Sequence, residues 1–133
     1  MRTLIIILCI FFVVTVKGQA HLGSTEYEIK AFHPENKWTT GYTNSGGKFI
    51  SSDMIYGTFT YYFDTETKLS DYNIQIPFNL TTLNGQVEAY NKKYVITSET
   101  SWTAYLENGG MIYIKLIYNE ELKIRYFSYR STK

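Results

Sequence analysis

The sequence predicts an all-β fold: a single antiparallel β-sandwich or barrel-like domain of about eight strands behind a cleaved leader. Three observations predict it. β-Branched and aromatic residues recur in short alternating runs, with 13 Tyr, 8 Phe and 2 Trp in 133 residues. Gly, Asn and Ser clusters break those runs at near-regular spacing. Helix signals read as nearly absent: the apolar spacing i, i+3, i+4, i+7 is not expected to hold over three turns anywhere after the leader.

The first 18 residues read as a secretory signal peptide. Arg2 supplies a positive start, Leu4 to Val16 is an uncharged apolar run, and Val16 and Gly18 are compact residues before a cleavage point after Gly18. The run is well short of the roughly twenty residues that span a bilayer. The expected division is residues 1–18 as leader and 19–133 as a secreted domain. Cleavage would leave 115 residues with 11 basic and 12 acidic side chains, a net charge near −1. That balance speaks against nucleic acid, which calls for a concentrated positive face, and gives no polybasic pull toward anionic membranes. The one cysteine, Cys9, lies in the leader. The secreted part would then have no disulfide, no thiol nucleophile and no thiolate metal ligand.

Element by element, STEYEIKAF (24–32) alternates and reads as a first strand. HPENKW follows as a turn, where Pro34 fixes φ and removes a backbone donor. KWTTGYT (37–43) reads as a short strand and NSGGK (44–48) as a loop. MIYGTFTYYF (54–63) reads as a strong strand with Ile55, Phe59, Tyr61 and Phe63 on one face. DTETKLSD (64–71) is a polar loop. YNIQIPF (72–78) sets Ile74 and Ile76 against Asn73 and Gln75, and Pro77 ends it or places it at an edge. NLTTLNG (79–85) reads as a turn with Asn84-Gly85 as its corner. QVEAYN (86–91), KYVIT (93–97) and SWTAYLE (101–107) read as strands, with Trp102, Ala104 and Leu106 sharing a face.

Residues 106–130 read as one long hairpin. Ile112, Ile114, Leu116, Leu122, Ile124 and Tyr126 form the expected buried face. Both arms show it to one core if Leu116 lies opposite Ile124 and Ile114 opposite Tyr126, around a three-residue loop Asn119–Glu121. The outer face would then hold Tyr113, Lys115, Lys123, Arg125, Phe127 and Tyr129, a cationic-aromatic surface suited to glycans or acidic ligands. An ordinary solvated sheet face has the same composition. Trp38 and Trp102 are the other expected ligand contacts.

Motifs for chemistry are few. His21 and His33 show no local metal-ligand spacing, no Gly-x-Ser-x-Gly elbow is present, and NSGGK lacks the strand-to-helix context of a phosphate loop. The expectation is no catalytic residue, no metal and no cofactor. Glu26 and Glu28, on one strand face about 7 Å apart, form the one carboxylate pair a glycan hydrolase could use. DTETKLSD is rich in oxygen ligands but lacks the glycine of a calcium loop. Asn79-Leu80-Thr81 is an N-glycosylation sequon.

The segment VEAYN…SWTAYLENGGMIYIKLIY…LKIRYFSYR resembles the small secreted insect proteins of the multiprotein bridging factor two family. Val87, Ala104, Leu106, Gly109, Gly110, Ile112, Ile114, Leu116 and Ile124 stand at matching places. The chain departs from that pattern with Asn119-Glu120-Glu121 between the last two strands and a Ser-Thr-Lys end. The resemblance covers about the last 45 residues. It implies a β-rich fold without enzymatic activity, and it carries over no site residue.

The resulting expectation is a secreted, non-enzymatic β-sandwich protein that binds an extracellular protein or glycan. Candidate roles include a hemolymph, salivary or immune-type factor. The alternatives are a small-molecule or lipid carrier with an aromatic-lined cavity, and a small glycan hydrolase.

Overall fold

The computed structural model describes residues 21–107 and 109–131. The expected leader and its cleavage point lie outside the described residues. Eight antiparallel strands form one sheet in the order β1-β2-β3-β4-β8-β7-β6-β5. They are β1 (Thr39–Tyr42), β2 (Lys48–Met54), β3 (Gly57–Phe63), β4 (Ser70–Pro77), β5 (Val95–Ser98), β6 (Ser101–Tyr105), β7 (Met111–Asn119) and β8 (Ile124–Ser131). The expected all-β, antiparallel fold of eight strands is present. The sheet does not close into a barrel, and its second layer comes from two helices, α1 (Glu26–Phe32) and α2 (Leu80–Lys93).

Both helices occupy segments that the alternation assigns to strand and turn. In α1, Thr25 and Glu28 form a capping box: Thr25 Oγ1 accepts from Glu28 N at 3.2 Å, and Glu28 Oε1 accepts from Thr25 N at 3.3 Å. The box satisfies two donors that a helix start leaves open and overrides the β-like pattern of EYEIKAF. The helix ends at His33, immediately before Pro34, whose ring disfavours α geometry in the residue ahead of it. In α2, Asn79 is the N-cap, with Oδ1 accepting from Thr82 N at 2.8 Å. Leu83, Val87, Tyr90 and Tyr94 then fall on one stripe that packs into the core. Asn84 and Gly85 sit on the exposed side of this helix, not at a hairpin corner.

The architecture repeats. Residues 26–77 run helix and four strands, residues 80–131 do the same, and α2, β4's counterpart β8 and the final boundary each follow 54 positions after their equivalents. Each half has its own apolar cluster. Ile29 packs with Ile50, Phe59, Tyr61 and Phe63. Leu83 and Tyr90 pack with Trp102, Ala104, Ile112, Ile114, Phe127 and Tyr129. Cross-strand register places the strand members of both clusters on one face of the sheet, so both helices cover that face. Burying each of the larger side chains contributes about 1.5–3 kcal/mol.

The halves meet where β4 pairs with β8, Asn73 opposite Tyr129 and Gln75 opposite Phe127. β4 is therefore central, and Pro77 ends it. Its covered face is polar, the reverse of what an apolar-in reading gives: Asn73 and Gln75 are fully buried, while Ile74 and Ile76 are half-exposed on the open face. β2 is a strand that the alternation does not mark. Ile55 belongs to the tight turn between β2 and β3 and is exposed. Gly57 closes that turn at φ +154, where a Cβ would strike the Ile76 carbonyl.

Candidate functional site

The terminal hairpin pairs Ile114 with Tyr129, Leu116 with Phe127 and Asn119 with Ile124. Its loop holds four residues, Glu120 to Lys123, one more than expected. Lys123 takes the left-handed conformation at φ 54, and Asn119 Oδ1 accepts from Leu122 N at 3.0 Å. One extra residue moves every side chain of β8 to the other face relative to β7. The expected cationic-aromatic surface is therefore divided. Phe127 and Tyr129 lie in the core, as does Trp102, whose Nε1 donates to Asn91 Oδ1 at 2.8 Å. These three cannot meet a ligand from solvent. Lys123 is in the loop. Arg125 lies over the Tyr118 ring at 4.9 Å, on the helix-bearing face. Tyr113 and Lys115 remain on the open face. Trp38 is half-buried beside His33 and Tyr61, with ring centroids 6.3 and 6.1 Å away.

The open face instead carries a row across five strands: Phe49, Tyr62, Tyr72, Arg130 and Tyr113 are successive cross-strand partners. Ring centroids of Phe49 and Tyr62, and of Tyr62 and Tyr72, are 5.5 Å apart, and the Arg130 guanidinium lies 4.2 Å from the Tyr72 centroid. These rings cover one another, as cross-strand pairs do.

A concave site lies elsewhere, at the start of α1. A recess of about 450 Å³ is walled by Glu26 and Tyr27 from α1, Tyr42 and Lys48 from the β1–β2 hairpin, and Asp64 and Lys68 from the β3–β4 loop, with Phe63 contributing apolar surface. Its volume lies within the usual range of ligand sites, about 300–1,000 Å³. Tyr27 is 82% exposed and Tyr42 is 67% exposed. Large aromatic side chains left open beside polar groups can stack on a ligand while the neighbours orient it.

Local hydrogen bonds hold the walls. In the β1–β2 loop, Gly47 N donates to Thr43 Oγ1 at 3.0 Å and Thr43 N to Gly47 O at 2.8 Å. In the β3–β4 loop, Asp64 Oδ1 accepts from Glu66 N and Thr67 N, each at 2.8 Å. Lys68 turns the chain back at φ 61. Glu26 bonds Lys48 at 2.6 Å and Lys30 at 2.9 Å. Hydrogen bonds from Lys48, then Lys30, hold its carboxyl below the usual range, and the same bond raises Lys48. The wall thus carries a fixed ion pair, with Asp64 and Lys68 bringing a second anion and cation.

This geometry removes the Glu26–Glu28 pair as a hydrolase dyad. On a helix, residues two apart project about 200° from each other. Glu26 is bonded to two ammonium groups, Lys48 and Lys30, and Glu28 is committed to the Thr25 cap. The sequence reading missed the recess because its residues come from three separate segments, two of them read as polar loops. The marker within reach was the Thr25-x-x-Glu28 capping signature, which would have turned Glu26 and Tyr27 onto a helix start.

No family model, no curated protein and no solved structure matches the chain. Among the described residues, no helix is long and apolar enough to cross a membrane.

Proposed function

We propose that the protein is a secreted, non-enzymatic binding module that takes a neutral saccharide in the recess at the start of α1. The observation that carries this reading is the pairing of two exposed tyrosine faces, Tyr27 and Tyr42, with a balanced set of charged hydrogen-bonding groups. A sugar ring has an apolar face of C–H groups and a rim of hydroxyls that both donate and accept. Stacking surface beside Lys48, Lys68, Glu26 and Asp64 matches both. The balanced charge favours a neutral sugar over an acidic one. The charged, open rim favours a polar ligand over a lipid. Secretion rests on the leader-like first 18 residues and on the Asn79 sequon. The resemblance of the C-terminal half to multiprotein bridging factor two proteins implies the same non-enzymatic class.

The test is expression of the full coding sequence in insect cells, recovery from the medium, and calorimetric titration with cellotetraose, maltotetraose and chitotetraose. Saturable one-to-one binding to at least one of them, weakened about tenfold or more by Tyr42→Ala and Tyr27→Ala at unchanged melting temperature, supports the reading. Retention inside the cell overturns secretion. Absence of saturation by all three at ~10 mM overturns the saccharide site, since weaker binding would be worth less than about 3 kcal/mol.

A further inference from the structure

Exposed apolar side chains gather at one end of the sheet. Gly57 pairs with Pro77, so Tyr56 and Phe78 are the next residues outward along β3 and β4. Gln75 Nε2 donates to the Tyr56 carbonyl at 3.2 Å and pins the β2–β3 turn to β4. Ile55, in that turn, is 86% exposed, and Tyr56, Phe78 and Leu80 at the same end are open to solvent. β8 begins at this end too, because Gln75 pairs with Phe127 and the two strands run antiparallel. The loop before β8 adds Leu122, also exposed. A single exposed apolar residue is ordinary, but several at one place mark a surface that something covers. Asn79 stands between Phe78 and Leu80, is itself exposed, and is the asparagine of the Asn79-Leu80-Thr81 sequon. Its Oδ1 is turned to the helix, accepting from Thr82 N at 2.8 Å. The planar amide then directs Nδ2 away from that N–H.

We propose that a glycan carried by Asn79 is the cover of this end, with its first N-acetylglucosamine packed against Phe78 and the Ile55–Tyr56 turn. The attachment atom lies inside the apolar cluster, which selects a saccharide tethered to the chain itself over a second copy or a lipid surface. The C–H face of a sugar ring matches an exposed aromatic ring, and its hydroxyls stay in water. A bulky, solubilising group at this position also holds other molecules away from Ile55 and Leu80. Attachment forms a bond from Asn79 Nδ2 to the anomeric carbon of N-acetylglucosamine. It breaks that carbon's bond to the pyrophosphate of a lipid-linked oligosaccharide donor, and releases the amide proton and the lipid pyrophosphate. The inference rests on the reading of the chain as secreted, since the donor is met along the secretory route. It does not rest on the saccharide recess, which opens at the other end of β3, beside Phe63 and Asp64.

The full coding sequence is expressed in insect cells with a mannosidase inhibitor, and protein from the medium is trimmed by an endoglycosidase to a single N-acetylglucosamine. Proton NMR should place that sugar's resonances upfield of their positions on an isolated glycosylated asparagine, through the Phe78 ring current, and Phe78→Ser should return them. Thr81→Ala removes the sequon and keeps the Asn79 cap. This variant should bind a hydrophobic dye and show a sedimentation coefficient that rises with concentration, while the glycosylated protein does neither. Adding Phe78→Ser to Thr81→Ala should reverse both effects. Sugar resonances at their isolated positions overturn the packing, a readout on the wild-type chain that needs no Thr81 variant. A Thr81→Ala chain that sediments like the glycosylated protein and binds no dye overturns the covering role. Secretion without a glycosidase-sensitive mass shift overturns this proposal alone, whereas retention inside the cell overturns secretion and the proposal with it.

Discussion

Gln75 and Gln86 hold each other by both ends of their amides: each Nε2 donates to the other's Oε1 at 2.8 Å. The pair joins the centre of β4 to α2. Gln75 Nε2 also donates to the Tyr56 carbonyl at 3.2 Å, and Gln75 Oε1 accepts from the Tyr129 hydroxyl at 2.9 Å. Since Tyr129 spends its proton on Gln75, Tyr90, 2.8 Å away, is the donor to Tyr129. A fully buried amide is thereby satisfied at four contacts, which is what makes a glutamine tolerable at that depth.

Gln86→Ala therefore removes two hydrogen bonds and leaves Gln75 short of partners. The expected loss is about 1–3 kcal/mol, read as a lower urea midpoint at unchanged slope. Gln75→Leu together with Gln86→Leu should cost less than the two single changes added together, because it removes both polar ends at once. Additive losses would show that the two amides act independently.

Alkaline conditions should weaken the fold through its buried tyrosines. Burial pushes Tyr90 up to about 12, raises Tyr61 strongly, and holds Tyr129 well above the ordinary value, with Tyr90 beside it adding to the effect. A raised folded value means that the unfolded chain loses its protons first. The stabilisation is complete below the ordinary tyrosine value of about 10 and drains away as pH rises from there through the folded values. Denaturant midpoints measured at pH 8, 10 and 11 should fall across the last two, with ultraviolet absorbance showing tyrosinate appearing alongside unfolding. A midpoint flat to pH 11 contradicts the burial of these hydroxyls.

Asn79 has two roles that use different atoms. Its Oδ1 caps α2, and its Nδ2 is the atom to which a glycan would be linked. The flanking Phe78 and Leu80 are 55% and 63% exposed, apolar surface that a glycan would shade. Thr81→Ala should abolish a glycosidase-sensitive mass shift in protein from insect cells while leaving the cap in place. Asn79→Ala should abolish the shift and also cost about 1 kcal/mol in unglycosylated protein, the usual value of a lost N-cap. A wild-type chain with no mass shift would show that the sequon is not used.

The strand-forming segments were readable because their alternation was local. Trp102 and Ala104, or Phe59, Tyr61 and Phe63, face inward as period two predicts. The helices were obscured by competing signals. Asn84-Gly85 is a strong corner in a hairpin, yet Leu83, Val87, Tyr90 and Tyr94 keep helical spacing straight through it, and packing of that stripe prevails over one glycine. The hairpin register turned on one backbone angle. Lys123 accepts a left-handed conformation that usually selects Gly or Asn, so residue type gave no sign of it, and one residue of loop length reversed the outlook of Phe127 and Tyr129. The polar covered face of β4 followed from tertiary partners on α2 and β8, which no local pattern encodes. The recess joins residues from distant segments and became visible only once α1 was in place.

The repeated helix-and-four-strand course bears on connectivity. Among the described residues, the two halves are joined along the chain through the pair Phe78 and Asn79. On the opposite side, the turn before α1 is tied to Ser70, and β8 runs out alongside that same end of β4, with Tyr72 opposite Arg130. The first and last described segments are thus neighbours, much as Pro77 and Leu80 are. Which half is translated first is a property of the chain's cut point, not of its contacts: a ring closed there and opened at Phe78 would hold the same sheet, read in the other order.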